Sequence, residues 1–249
     1  MVVSALRGAL GFLTRLRVGH SEDAWAAFRA SPWAFPLAGY VVGGLLALPF
    51  ALDALPASTL ALAYLAAVFG VTGINHLDGV ADVGDALVVH GDSDERTRVL
   101  KDTTVGVGAV AAVAVVVAAL ALGALGVAGL PTRAAIAVVV AGEVGAKLGM
   151  AAVACLGTAA HEGLGSQFTE RAGRSDMLPA ALVAAPAVVF SWPTPAAAGA
   201  LAGAFAAGLL ALWRLRALLD GVNGDVFGAV NEVGRVAGLH VGVVAWTLS

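Results

Sequence analysis

Three aspartates, Asp78, Asp82 and Asp85, are spaced i, i+4 and i+7 in the segment His76-Leu77-Asp78-Gly79-Val80-Ala81-Asp82-Val83-Gly84-Asp85. On a helix that spacing stacks all three carboxylates on one face. Three anionic groups aimed at one point repel each other unless a cation sits among them. Hard divalent ions such as Mg²⁺ prefer oxygen ligands and take substrate phosphates into their shell. Asp78, Asp82 and Asp85 are therefore candidate metal ligands, and phosphate chemistry is what they suggest; the plain alternative is a solvated helix end. Gly79 and Gly84 leave room for a ligand or a neighbouring backbone. His76 is open as a general base, a phosphate donor or a capping group, because imidazole titrates near neutrality.

Two further polar segments flank this cluster. Arg96, Arg98 and Lys101 precede an apolar run and are suited to hold phosphate oxygens. A membrane anchor explains the same three cations, but it does not explain Asp102. Asp225 and Glu232, seven residues apart on one helical face, enter an otherwise apolar segment, where carboxylates are expensive and usually functional. Glu143 and Lys147, at i and i+4, read as an internally compensated ion pair. The single cysteine, Cys155, excludes an intrachain disulfide and reads as a small packing residue.

The elements that must position these groups are membrane helices. The chain is 59% apolar and only 12% charged, with a mean hydropathy of +0.90, far from an ordinary soluble domain. A net charge of −3 argues against a nucleic-acid partner. Seven apolar stretches stand out: 33–52, 57–75, 105–130, 133–156, 177–192, 195–213 and 226–247. Most are near the ~20 residues that span hydrocarbon. The fifth is short and holds Pro179 and Pro186; the seventh is interrupted by Asn231, Glu232 and Arg235. Val3, Leu6, Leu10 and Leu13 share a face, which predicts an amphipathic helix lying in the interface within residues 1–32. The expectation is an all-α polytopic bundle of about seven spans plus that helix, forming one domain over 1–249. The pairs Gly39/Gly43, Gly145/Gly149, Gly199/Gly203 and Gly238/Gly242 have the spacing of close helix contacts.

Eleven basic residues fall in alternate loops and one, Arg133, in the others. The positive-inside rule then puts the N-terminus and the long polar loops in the cytoplasm, with the active site on that face of the cell membrane. Trp33, Trp192, Trp213 and Trp246 fall near span ends, as an aromatic belt requires.

In order and spacing the polar patches resemble the cobalamin-5′-phosphate synthase (adenosylcobinamide-GDP ribazoletransferase) family. The residues that carry the resemblance are His76-Leu77-Asp78-Gly79-Val80-Ala81-Asp82, then Lys101-Asp102-Thr103-Thr104-Val105-Gly106, then Gly224-Asp225-Val226-Phe227-Gly228-Ala229-Val230-Asn231-Glu232. Phe35-Pro36-Leu37-Ala38-Gly39 and Glu162-Gly163-Leu164-Gly165 add to it. Asn75 departs from the glycine expected there, and Lys147 from an arginine. The resemblance implies a membrane transferase using Mg²⁺. Adenosylcobinamide-GDP would react with α-ribazole or its 5′-phosphate, and GMP would leave. Asp78, Asp82 and Asp85 would hold the metal on the diphosphate. Arg96, Arg98 or Lys101 would stabilise the departing GMP, and His76 or one of the acids would take the hydroxyl proton. Asp102, Asp225 and Glu232 would join the substrate-binding set, the last two completing the site begun by Asp78 and Asp82. Membrane lipid is the expected surrounding, and a homo-oligomer is compatible with it. The rival readings are an ion-coupled transporter, a phosphotransferase acting on CDP-activated alcohols, and a scaffold.

Overall fold

The computed structural model describes residues 1–19, 21–52, 54–90, 93–100 and 104–249. Among these the chain forms twelve α-helices: α1 (Val2–Leu13), α2 (Glu22–Arg29), α3 (Ala34–Ala47), α4 (Ala57–Thr72), α5 (Asn75–Val88), α6 (Ser93–Leu100), α7 (Val107–Ala128), α8 (Thr132–Leu156), α9 (Leu164–Thr169), α10 (Met177–Ala184), α11 (Ala196–Leu218) and α12 (Gly224–Thr247). The expected all-α membrane bundle is the fold observed.

Helical stretches follow all seven apolar runs, but they are not equivalent. Ala34–Ala51, α7, α8 and α11 are each long and apolar enough to cross a membrane, and α4 with α5 makes a fifth span if the bent pair is counted as one. The run at 177–192 is short, because α10 passes into a 3-10 turn at Ala185–Val189 with Pro186 near its start. Proline lacks the N–H that would continue an α-helix there. The run at 226–247 lies in α12, whose Asn231, Glu232 and Arg235 lower its hydropathy but are themselves buried by the bundle.

α8 is the pillar. Every residue from Ala137 to Cys155 is buried, as expected of a helix apolar all round. α3, α11 and α12 pack around it. The four glycine pairs sit at these seams. A Cβ on Gly43 would come 2.8 Å from Val140 Cα, one on Gly145 2.5 Å from the Leu201 carbonyl oxygen, one on Gly203 2.6 Å from Val241 Cβ, and one on Gly238 2.9 Å from Gly142 Cα. Small residues let the backbones touch. Exposed Val110, Val115, Leu122 and Leu125 give α7 an apolar outer face.

The N-terminal region adds a feature to the sequence reading. α1 is one arm of a hairpin with α2. Its buried stripe is Ala5, Ala9 and Leu13, while Val3 is exposed. The cause is Gly8, where a Cβ would meet the Ala24 carbonyl oxygen at 2.2 Å. The two helices therefore approach closely at Gly8, while Leu6, Leu10 and Leu13 pack against the core. Phe12, Trp25 and Phe28 then join Phe35, Phe168 and Phe227 in one aromatic cluster that seats the hairpin on the bundle.

α4 and α5 meet at 96°. Gly73 makes the break with φ 71° and ψ −157°, a region essentially reserved for glycine. The turn lays α5 across the end of the bundle, where it packs on α12 and α7.

Adjacent glycines in α3 offer a controlled test of the seam. Gly43 has no room for a methyl group, whereas nothing lies within 4 Å of a Cβ on Gly44. Gly44→Ala should hold or raise the thermal midpoint in detergent, since alanine is favoured by about 1 kcal/mol in a helix. Gly43→Ala should lower it.

Candidate active site

α5 is held against α12 by two interlocking glycines. A Cβ on Gly79 would lie 2.7 Å from the Asp225 carbonyl oxygen, and one on Gly228 would lie 2.8 Å from that of His76. This contact brings Asp78 and Asp82, on either side of Gly79, to Asp225 in the first turn of α12. Asp78 is exposed and Asp82 is partly buried. Asp225 lies in the first turn of α12, and Asp78 and Asp82 lie on α5, beyond the 96° break after α4. The carboxylates feel one another. Burial, then the charges of Asp82 and Asp78, push the Asp225 carboxyl up to about 6. Burial, then Asp78 and Asp85, also raise Asp82 above the ordinary carboxylate range. Among the described residues no lysine or arginine lies in ion-pair range of Asp78, Asp82 or Asp225.

Asp85 points elsewhere. Its Oδ2 accepts from the Gly106 N–H and its Oδ1 from the Ala109 N–H, each at 2.8 Å. These are orphan donors at the start of α7, and a carboxylate there also meets the helix dipole. Gly84 and Gly108 bring the two backbones together at this point. The expected three-carboxylate cluster is therefore not a closed cage. Among the described residues no three acidic, imidazole or thiol groups converge as one. What remains are Asp78 and Asp82, one turn apart on α5, with Asp225 of α12 near enough for their charges to act on it. That set suits an ion such as Mg²⁺, which takes one or two carboxylates and keeps its other positions for water and phosphate.

The expected cations are dispersed. Arg96 donates to the Ala86 carbonyl at 3.2 Å, which folds α6 back onto the end of α5. Arg98 is 3.7 Å from Glu95, with its side chain 74% exposed. Lys101 and Asp102 lie outside the described residues.

Glu232 corrects a second expectation. It does not stand beside Asp225. It lies two helical turns deeper, ~10.5 Å along α12, in a buried ionic network. Arg235 bonds Glu143 through Nε and Glu232 at 2.6 Å. Lys147 bonds Glu143 at 3.2 Å and the Asn231 side-chain oxygen at 2.6 Å. The expected Glu143–Lys147 pair is thus half of a four-charge array that sums to zero. An ammonium only donates, so the Asn231 atom facing Lys147 is its oxygen. The amide nitrogen of Asn231 then donates to Glu232 at 3.0 Å and to His76 Nδ1 at 3.1 Å. His76 consequently carries its proton on Nε2. Its accepting nitrogen is occupied, so in this arrangement it is a hydrogen-bond donor rather than a free base.

Two residues at the mouth escaped the sequence reading. Asn223 caps α12 by accepting from the Val226 N–H, and it donates to Asp225 at 2.8 Å. His161 lies close enough to Asp225 to act on its charge. The loop carrying His161 is stitched to the start of α12 by Ala160 N–H to Val222 O at 3.1 Å and Val222 N–H to Thr158 O at 2.8 Å. An asparagine one residue before a helical Gly-Asp is a recognisable capping signal. Nothing local marks His161, which depends on pairing across some sixty residues.

A profile of cobalamin-5-phosphate synthase matches residues 5–243. The chain belongs to that family. Among its relatives, the adenosylcobinamide-GDP ribazoletransferase of Halorubrum lacusprofundi is 52% identical, covering 99% of both chains. Those of Halobacterium salinarum and Haloquadratum walsbyi are 66% identical over 78% of this chain and 46% identical over all of it. No solved structure matches.

In this synthase-family chain the buried array should govern stability. Arg235→Met strands Glu143 and Glu232 without a guanidinium and should cost about 3–5 kcal/mol. Adding Glu232→Gln to that variant should recover part of the loss. Chemical unfolding in detergent reads both.

Proposed function

We propose that the chain is a membrane transferase that joins adenosylcobinamide-GDP to α-ribazole or α-ribazole 5′-phosphate and releases GMP. The product is adenosylcobalamin or its 5′-phosphate, at the assembly step of the nucleotide loop. The observation that carries this reading is the 52% identity over 99% of both chains to a protein of that name. The carboxylates at the α5–α12 crossing supply the matching chemistry.

The ribazole hydroxyl attacks the cobinamide-side phosphorus, giving its proton to one of the site carboxylates, and GMP departs with the other phosphate. Such a transfer needs charge neutralisation and alignment more than covalent help. Asp78, Asp82 and Asp225 are the residues that would hold Mg²⁺. When bound, the ion supplies positive charge to the diphosphate. Asn223 fixes one oxygen of Asp225 and so sets the orientation of that carboxylate. His76, with Nδ1 committed to Asn231, offers an N–H donor from the bundle side. Arg96, Arg98 and Lys101 sit on the segment that follows α5 and would meet phosphate oxygens of the departing GMP. The basic asymmetry of the loops supports a cytoplasmic site and a cytoplasmic N-terminus in the cell membrane. A cysteine placed in the 93–100 helix should then resist impermeant reagents applied outside intact cells, and ready labelling would reverse the orientation.

The central assay supplies the protein in nanodiscs with adenosylcobinamide-GDP and α-ribazole and measures GMP. Release is expected with Mg²⁺ and not after chelation; no release in either condition would overturn the reading. The raised Asp225 adds a test that does not depend on turnover. An acid held above its unfolded value binds more protons when folded, so the metal-free protein loses stability as pH rises from the ordinary carboxylate range through about 6. Mg²⁺ should raise the thermal midpoint above that pH and have little effect well below it, where the proton occupies the site. Asp225→Asn should reduce both dependences, leaving the smaller contribution of the raised Asp82.

A further inference from the structure

An open cleft of about 650 Å³ lies between α1, α2 and the first residue of α5. That size falls within the range of small-molecule sites. The Phe12 and Trp25 rings, 5.5 Å apart, form one wall. Arg7, Glu22 and Asn75 also line it. Arg7 is held in place by its own Nε, which donates to the Val18 carbonyl at 2.8 Å. Glu22 is fixed in the first turn of α2, behind the Ser21 cap that accepts from the Ala24 N–H at 3.2 Å. Among the described residues neither Arg7 nor Glu22 has an ion-pair partner. A carboxylate acceptor and a guanidinium donor thus face the same cleft beside an aromatic wall.

The position of the cleft ties it to the reaction. Asn75 precedes Asp78 by three residues, ~4.5 Å along the helix axis. A ligand seated here reaches the carboxylate site within the length of one nucleotide.

We propose, building on the transferase reading above, that this cleft binds the guanine base of the GDP-activated substrate and of the GMP product. Guanine presents N1–H and an exocyclic amine, which suit the Glu22 carboxylate. It also presents O6 and N7, the acceptors that arginine recognises. Its flat face suits packing against the Phe12–Trp25 wall, where the Arg29 guanidinium lies over the Trp25 ring, 5.3 Å from its centroid. The other substrate fits poorly, because a benzimidazole joined to ribose has no ring N–H to offer. It would leave Glu22 unpaired, and sites built around a hydrogen bond discriminate strongly against ligands that cannot make it.

The test is direct binding of GMP, IMP and AMP to the full-length protein in nanodiscs by calorimetry, with turnover run in parallel. Wild type should prefer GMP to IMP, which lacks the exocyclic amine, and to AMP. Glu22→Gln should weaken GMP about tenfold, the value of roughly one charge-assisted hydrogen bond, and narrow the GMP-to-IMP gap. Trp25→Leu should weaken GMP and IMP alike. In turnover, Glu22→Gln should raise the KM for adenosylcobinamide-GDP and leave that for α-ribazole unchanged. Trp25 belongs to the aromatic cluster, so its variant can lose the fold; Glu22 is exposed and its variant still decides. Unchanged GMP affinity in Glu22→Gln, or a raised KM for α-ribazole alone, would overturn the assignment while the transferase reading stands. Guanine-selective binding that depends on Glu22, without turnover in wild type, would keep the cleft and sink the transferase reading.

Discussion

Glu143 and Glu232 are buried in an apolar bundle together with Lys147 and Arg235. None of these charges is tolerable alone in that setting, where an unpaired ion costs several kcal/mol. They are tolerable only together, and only while α8 and α12 stay in register. Asn231 extends the array to His76 and so fixes the start of α5 as well. Around this point the backbones are packed as closely as glycine allows, at Gly142–Gly238 between α8 and α12 and at Gly79 and Gly228 between α5 and α12. The array acts through register: it sets where α5 crosses α12, and that crossing sets where Asp78 and Asp82 stand relative to Asp225. Arrays of this kind specify one arrangement more than they add net stability.

The same crossing explains why the carboxylates at the α5–α12 contact remain unpaired. The bundle's own cations are used internally, with Lys147 and Arg235 spent on Glu143 and Glu232. At the mouth, Asp225 keeps a raised proton affinity because it is largely buried and because its near neighbours include two more acids. Among the described residues these carboxylates have no lysine or arginine in ion-pair range.

Much of this was legible in the sequence, and the failures have physical causes. The i, i+4 spacing of Asp78 and Asp82 placed them on one face because helical geometry is local. The glycine pairs fell at helix seams because only small residues permit backbone contact. Asp85 misled because spacing reports a face, not a partner; the partner is the start of α7, more than twenty residues away. Glu232 misled because two carboxylates seven residues apart share a face yet differ in depth, and depth decides whether a group meets water or Arg235. The α1–α2 hairpin was hidden because Gly8 and the alanines form a weak hydropathy signal, although they mark the closest approach. His161 depended on a tertiary pairing that no local pattern encodes.

The central claim is that Asp82 of α5 and Asp225 of α12 act on one bound ion. It is tested most directly by a double-mutant cycle on Mn²⁺ affinity, read by electron paramagnetic resonance on the full-length protein in nanodiscs. Asp82→Asn and Asp225→Asn should each weaken binding, and their combination should depart from additivity by about 1 kcal/mol or more, as contacting groups do. Strictly additive losses, or Mn²⁺ affinity indifferent to Asp225, would show that the two helices do not share a site.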